Sequence, residues 1–78
     1  MDYDVQIKDR IRRILINCRN EKQLTQTEVG KVVGKSKTAI ASWEQGLSMP
    51  DAATLYRLSI YYGKPIAYMY GEEGEVKP

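Results

Sequence analysis

Glycine at positions 34, 46, 63 and 71 cuts the second half of the chain into short segments, and within them the apolar residues recur three and four apart. No stretch alternates convincingly with period two, so strands are not expected. Segments this short bury an apolar stripe by packing helix against helix. The first helix is expected from about Val5 to Lys22, with Ile7, Ile11, Ile14, Leu15 and Cys18 on one stripe. Thr25 opens a second helix. Its hydroxyl caps the free amides while Glu28, three residues on, reaches back to form a capping box. Val29, Val32 and Val33 make the apolar side of this helix, and Gly34 ends it in the left-handed conformation. Ser36 caps a third helix to Gln45 with Ile40 and Trp43 inward, and Gly46 closes it. Past Leu47-Ser48-Met49-Pro50, Asp51 caps a fourth helix that reaches Tyr62 and turns Leu55, Leu58 and Tyr62 inward. Pro65 pre-sets the first turn of a last helix, Ile66 to Tyr70, ended by Gly71. The expectation is one compact all-α domain of five helices over residues 1–71, followed by a flexible acidic tail over 72–78.

Composition narrows what such a domain does. A chain of 78 residues buries only about 60–65% of its unfolded surface, enough for one modest core. Histidine is absent, which removes the commonest metal ligand and general base, and Cys18 is the single cysteine. No paired carboxylates and no phosphate-cradling glycine loop stand out, so neither catalysis nor a metal or cofactor is expected. The lone cysteine reads as a small buried hydrophobe suited to a reducing cytoplasm. No apolar run approaches a membrane span. The net charge of +2 hides an asymmetry. From Lys8 to Lys37, nine basic residues face three acidic ones, a net of +6, which leaves −4 for the rest of the chain. An uneven basic half is the footprint expected of a phosphate-binding surface, but charge alone fits a solvated basic helix face better.

The most informative stretch is Gln26 to Gly46: helix, a three-residue turn around Gly34-Lys35-Ser36, helix. A turn this short makes the two helices cross steeply. Gly30 lies mid-helix, where glycine costs ~1 kcal/mol against alanine. The economical reason is that the third helix passes close to its backbone. With Ile40 and Trp43 inward, Lys37, Thr38, Ala41, Ser42 and Gln45 point outward, short or polar and without apolar bulk. A solvated face can look this way, but a helix that enters the major groove must.

The run Leu24-Thr25-Gln26-Thr27-Glu28-Val29-Gly30, then Gly34-Lys35-Ser36, then Ile40-Ala41-Ser42-Trp43-Glu44-Gln45-Gly46 resembles the lambda-repressor and Cro family of helix-turn-helix regulators, also called the xenobiotic-response-element type. Pro50-Asp51, Leu55, Leu58 and Gly63 continue the likeness, so it extends from about Ile7 to Gly71. The resemblance implies a cytoplasmic, nucleoid-associated transcriptional regulator, acting as a repressor on a double-stranded DNA operator as a homodimer. It implies that Gln26 contacts phosphate, that Ser36 caps the recognition helix, and that Lys37, Thr38 and Ser42 touch base edges beside Ala41. It further implies a phosphate contact from Gln45 and a semi-buried ion pair between Arg19 and Glu44. Lysine donates well to guanine O6 and N7, and a threonine methyl suits the thymine methyl. There are departures. Lys35 replaces the usual apolar residue, so the turn is either more exposed there or adds a phosphate contact. Gln23 replaces the usual glycine, so the first helix either ends another way or holds Gln23 left-handed. The loop Leu47-Ser48-Met49 lacks the positive charge often found before Pro50.

Five of the six tyrosines lie in the last two helices, more than so small a core accepts. Surface tyrosine marks protein interfaces. In relatives the last helix approaches the dimer axis, which makes Tyr68 and Tyr70 interface candidates. Tyr56 and Ile60, four apart and off the buried stripe, are expected to join them in one exposed apolar patch. The alternative is an antitoxin or other protein-interaction module on the same fold, whose partner uses that tyrosine surface.

Overall fold

A computed structural model describes residues 3–71 of the chain. Five helices follow in order: α1 (Tyr3–Glu21), α2 (Gln26–Val33), α3 (Lys37–Glu44), α4 (Ala52–Tyr62) and α5 (Ile66–Met69). No strand occurs among the described residues. The acidic tail expected over 72–78 lies outside them.

Local chemistry sets the boundaries. At the start of α2, Thr25 Oγ1 accepts from the Glu28 amide at 3.1 Å and the Thr25 amide donates to Glu28 Oε1 at 2.8 Å. This is the reciprocal capping box. Ser36 Oγ accepts from the Ala39 amide at 3.1 Å and Asp51 Oδ1 from the Thr54 amide at 2.7 Å, opening α3 and α4. The end of α1 resolves the question posed by Gln23. It adopts φ 57, left-handed, while its amide donates to Asn20 O at 3.0 Å and the Leu24 amide to Arg19 O at 3.1 Å. That is the hydrogen-bond pattern of a glycine-terminated helix, carried here by a side-chain residue.

The core gathers Ile11, Leu15 and Cys18 of α1, Val29 and Val33 of α2, and Ile40 and Trp43 of α3. Leu55, Leu58 and Tyr62 of α4 and Met69 of α5 complete it. Two expectations need correction, and one core residue is unforeseen. Val32 is not on the buried side of α2: it is 43% exposed, because one helix face holds Val29 and Val33 and a residue 100° away points elsewhere. Met69, which the pattern does not single out, is fully buried. Gly30 is small for a different neighbour than expected. A Cβ there would lie 2.4 Å from the Lys35 carbonyl oxygen, so the turn itself, rather than the body of α3, demands glycine. The Lys35 amide donates to Gly30 O at 2.8 Å and the Gly34 amide to the same oxygen, which folds the turn back onto α2.

Candidate nucleic-acid interface

The turn from Gly34 to Ser36 sets α3 across α2, and a buried polar cluster locks that crossing. The Glu44 carboxylate, at the end of α3, receives Arg19 Nε at 2.7 Å on Oε2 and Arg19 Nη2 at 2.8 Å on Oε1. Gln26 Nε2 donates to Oε1 at 3.0 Å, and Arg19 Nη1 donates to Leu24 O at 2.9 Å. The cluster is largely dry: the Arg19 and Glu44 side chains are 18% and 7% exposed. The hydrogen bond to Glu44 pushes the arginine pKa further up against the opposing effect of burial, so Arg19 stays charged. One network therefore joins the end of α1, the start of α2 and the end of α3. It also fixes Gln26 from behind. An amide nitrogen has two N–H donors, and one is directed at Glu44.

On the other side of α3, Lys37 and Thr38 are exposed, as are Ser36 before them and Gln45 after the helix. Ala41 and Ser42 are half-buried. The Ser42 hydroxyl lies 2.7 Å from that of Ser48, so it braces the loop after α3 as well as lining the outer face. Neither residue type alone announces this pair in the sequence. Lys35 is exposed, with Nζ 3.9 Å from Asp51 Oδ2. The Asp51 carboxyl is held below the ordinary range, first by the Thr54 amide and then by nearby cations including Lys35. Arg57, unremarked in the sequence, donates from Nη1 to Val33 O at 3.3 Å and so caps the end of α2.

The basic segment does not form one surface. Arg12 and Arg13 both bond to Asp9, whose carboxyl lies below the ordinary range chiefly because of Arg13. Arg10 and Arg13 line a hollow with Ile14, Asn17 and Gly71, toward the end of α5. Lys22 lies over the Tyr61 ring at 5.4 Å. The apolar patch is also narrower than expected. Tyr56 and Ile60 are 56% and 62% exposed and Tyr70 stands at the margin, at 36%. Tyr68 is half-buried against the core with Lys64 Nζ 4.8 Å from its ring centre, so it does not belong to an open patch. No group of three or more His, Cys, Asp or Glu among the described residues is placed to hold a metal, and no described helix is long and apolar enough to cross a membrane. Burial raises the Cys18 thiol pKa, away from the reactive thiolate.

A family model described as helix-turn-helix matches residues 15–69. The chain is 33% identical over 56 residues to the cryptic phage CTXphi transcriptional repressor RstR of Vibrio cholerae, over 72% of this chain and 50% of that protein. It is 43% identical over 42 residues to the ImmF control region 10 kDa protein of Bacillus phage phi105, over 54% of this chain and 47% of that one. The chain spans about half the length of these curated relatives. A solved structure of an HTH_3 family transcriptional regulator from Vibrio cholerae matches with a TM-score of 0.76 and 26% identity. That match covers 90% of this chain and 39% of the other.

Proposed function

The chain belongs to the helix-turn-helix family, and from that premise we propose that it binds double-stranded DNA as a transcriptional regulator, a repressor by analogy with its phage relative. One observation carries the reading: α3 buries Ile40 and Trp43 and turns Lys37 and Thr38 to solvent at its N-terminal end, beside the exposed Ser36. In this reading α3 enters the major groove, and Lys37, Thr38 and Ser42 meet base edges with Ala41 small enough to let the helix approach. Gln26, Lys35, Ser36 and Gln45 hold phosphates on either side. Residues 1–71 act as the binding module, with neither cofactor nor catalysis, on the chromosome in the cytoplasm. A homodimer reads two half-sites ~34–36 Å apart, joined through Tyr56, Ile60, Tyr68 and Tyr70.

Selection of bound duplexes from a random library yields the operator, and an inverted repeat in it supports the dimer. Lys37→Ala is expected to relax preference at one position per half-site, where a good base contact discriminates by ~1–3 kcal/mol. Gln26→Ala is expected to weaken all sequences about equally, because a phosphate contact carries no sequence information. A Lys37→Ala protein with unchanged preference and affinity refutes the placement of α3.

A further inference from the structure

The cations of α1 separate onto two flanks. Lys8, Arg12 and Arg19, at steps of four and seven, share the flank toward α3. Arg10 lies toward α5 with Asn17 and Gly71. On the α3 flank, Arg19 is neutralised by Glu44, but Lys8 and Arg12 lie further along, beside the C-terminal end of α3. Resting on the DNA-binding reading above, we propose that Lys8 and Arg12 grip a phosphodiester of the DNA backbone beside that end of α3, at a site made jointly by α1 and Gly46.

Four observations build the site. The Arg12 stem crosses Gly46 so closely that a Cβ there would lie 3.3 Å from Arg12 Cδ and 3.9 Å from Nε. Val5, Lys8, Asp9 and Gly46 line one hollow, so the lysine borders the same Gly46 that the arginine stem crosses. Asp9 Oδ1 accepts from Arg12 Nε at 3.0 Å, and Nη2 lies 2.9 Å from the same oxygen as an ion pair. That hydrogen bond uses one of the five guanidinium donors. The carboxylate thus orients the fork, and the outer edge, Nη1, has the planar geometry that phosphate oxygens accept. Asp9 also bonds Arg13, so the group of Lys8, Asp9, Arg12 and Arg13 keeps a positive balance. Lastly, the chain that follows Gly46 is Leu47-Ser48-Met49, without charge. A backbone strand that passes the end of α3 meets no cation from that loop, and α1 supplies the charge from the other side. Sequence alone hides this, because 34 residues separate Arg12 from Gly46.

The test uses the full chain on its selected operator, with affinity measured from about 50 to 200 mM salt. Each phosphate contact contributes ~0.9 to the slope of log affinity against log salt. Lys8→Ala and Arg12→Ala are each expected to lower the slope by that amount per bound protomer. Each would therefore lose affinity ~3.5-fold less steeply over this range, equally on all sequences. Arg12→Lys keeps the charge and should keep most of the slope, which controls for any loss of the Asp9 contact. Arg10→Ala removes the same charge from the other flank and should leave the slope unchanged. A wild-type slope in both Lys8→Ala and Arg12→Ala overturns the site, as does an equal drop in Arg10→Ala. A wild type that binds no duplex overturns the DNA-binding reading itself, and this site with it.

Discussion

Replacing Gly30 by alanine sets two terms against each other. Within α2, alanine is favoured over glycine by ~1 kcal/mol, because it surrenders less backbone freedom on folding. Against this, the new Cβ would stand 2.4 Å from the Lys35 carbonyl oxygen, and contacts under 3.0 Å essentially never occur. The obstacle is backbone and cannot rotate away. It is held by the Lys35 amide on Gly30 O at 2.8 Å, and Ser36, the cap of α3, follows directly. Relief requires the turn to open by at least several tenths of an ångström. Overpacking strain of this kind costs ~1–3 kcal/mol, and a weakened turn hydrogen bond adds ~1 kcal/mol. After the helix-propensity gain, the net is destabilisation by ~1–3 kcal/mol, a fall in melting temperature of ~5–20 °C for a domain of this size. Gly34→Ala provides the contrast. At φ +70 it meets nothing within 4 Å, so it pays only the left-handed conformational cost of ~1–2 kcal/mol. Thermal melts followed by circular dichroism compare the two variants with the parent. A Gly30→Ala protein that melts at or above the parent temperature would refute the assignment of this glycine to the turn.

Three further outcomes follow from the same geometry. Gln23→Gly relieves a left-handed side-chain residue at φ 57 and should stabilise by up to ~1 kcal/mol, seen as a melting temperature a few degrees higher; a lower one contradicts it. Glu44→Ala strips the acceptor from both Arg19 and Gln26 and should cost ~3 kcal/mol, toward the low end for a broken buried pair because Arg19 keeps some solvent, and an unchanged melt would show that the cluster does not hold the crossing. Tyr62 has its pKa raised by burial. Its contribution is therefore intact below the unfolded tyrosine value near 10, and is lost above it as the unfolded chain ionises first. Stability should fall between about pH 9 and 11, and less steeply in Tyr62→Phe; parallel curves for the two proteins would reject the linkage.

How much of this was written in the sequence depends on the range of the interaction involved. Caps are local. Thr25 with Glu28, Ser36 and Asp51 each satisfy amides three residues away, so the starts of α2, α3 and α4 were legible. Long apolar stripes were legible too, since Ile11, Leu15 and Cys18 recur at steps of four and three within the nineteen residues of α1. Short helices fail that method. Three valines within the eight residues of α2 do not fix which of them faces inward, and the four residues of α5 have no period from which to find Met69. Contacts across a turn fail it differently. Composition told that Gly30 needed a small side chain but not which atom required it. Tyr68 looked like its neighbour Tyr70, and only the fold puts one against the core and leaves the other at the surface.

Charge is where linear reading and folded surface diverge most. Counted along the chain, Lys8 to Lys37 is a single basic block, as though all its cations faced one phosphate backbone. A helix turns 100° per residue, so a run such as Arg10, Arg12 and Arg13 cannot face one way. In the fold, Arg19 is consumed by Glu44, Arg12 and Arg13 share the single charge of Asp9, Lys22 stacks over Tyr61, and Arg10 faces the end of α5. Lys31, Lys35 and Lys37 stay exposed around the crossing of α2 and α3, and Lys8 and Arg12 flank its far end. The charge left at the surface is therefore smaller than the count and is concentrated at the two ends of α3. In the proposed reading α3 is the recognition helix: its middle would come close to the bases, where a long cation would hold it off, while its ends would pass the phosphates. Ala41 and Ser42 in the middle, with lysine before them and arginine beside the end, provide that arrangement from residues far apart in sequence.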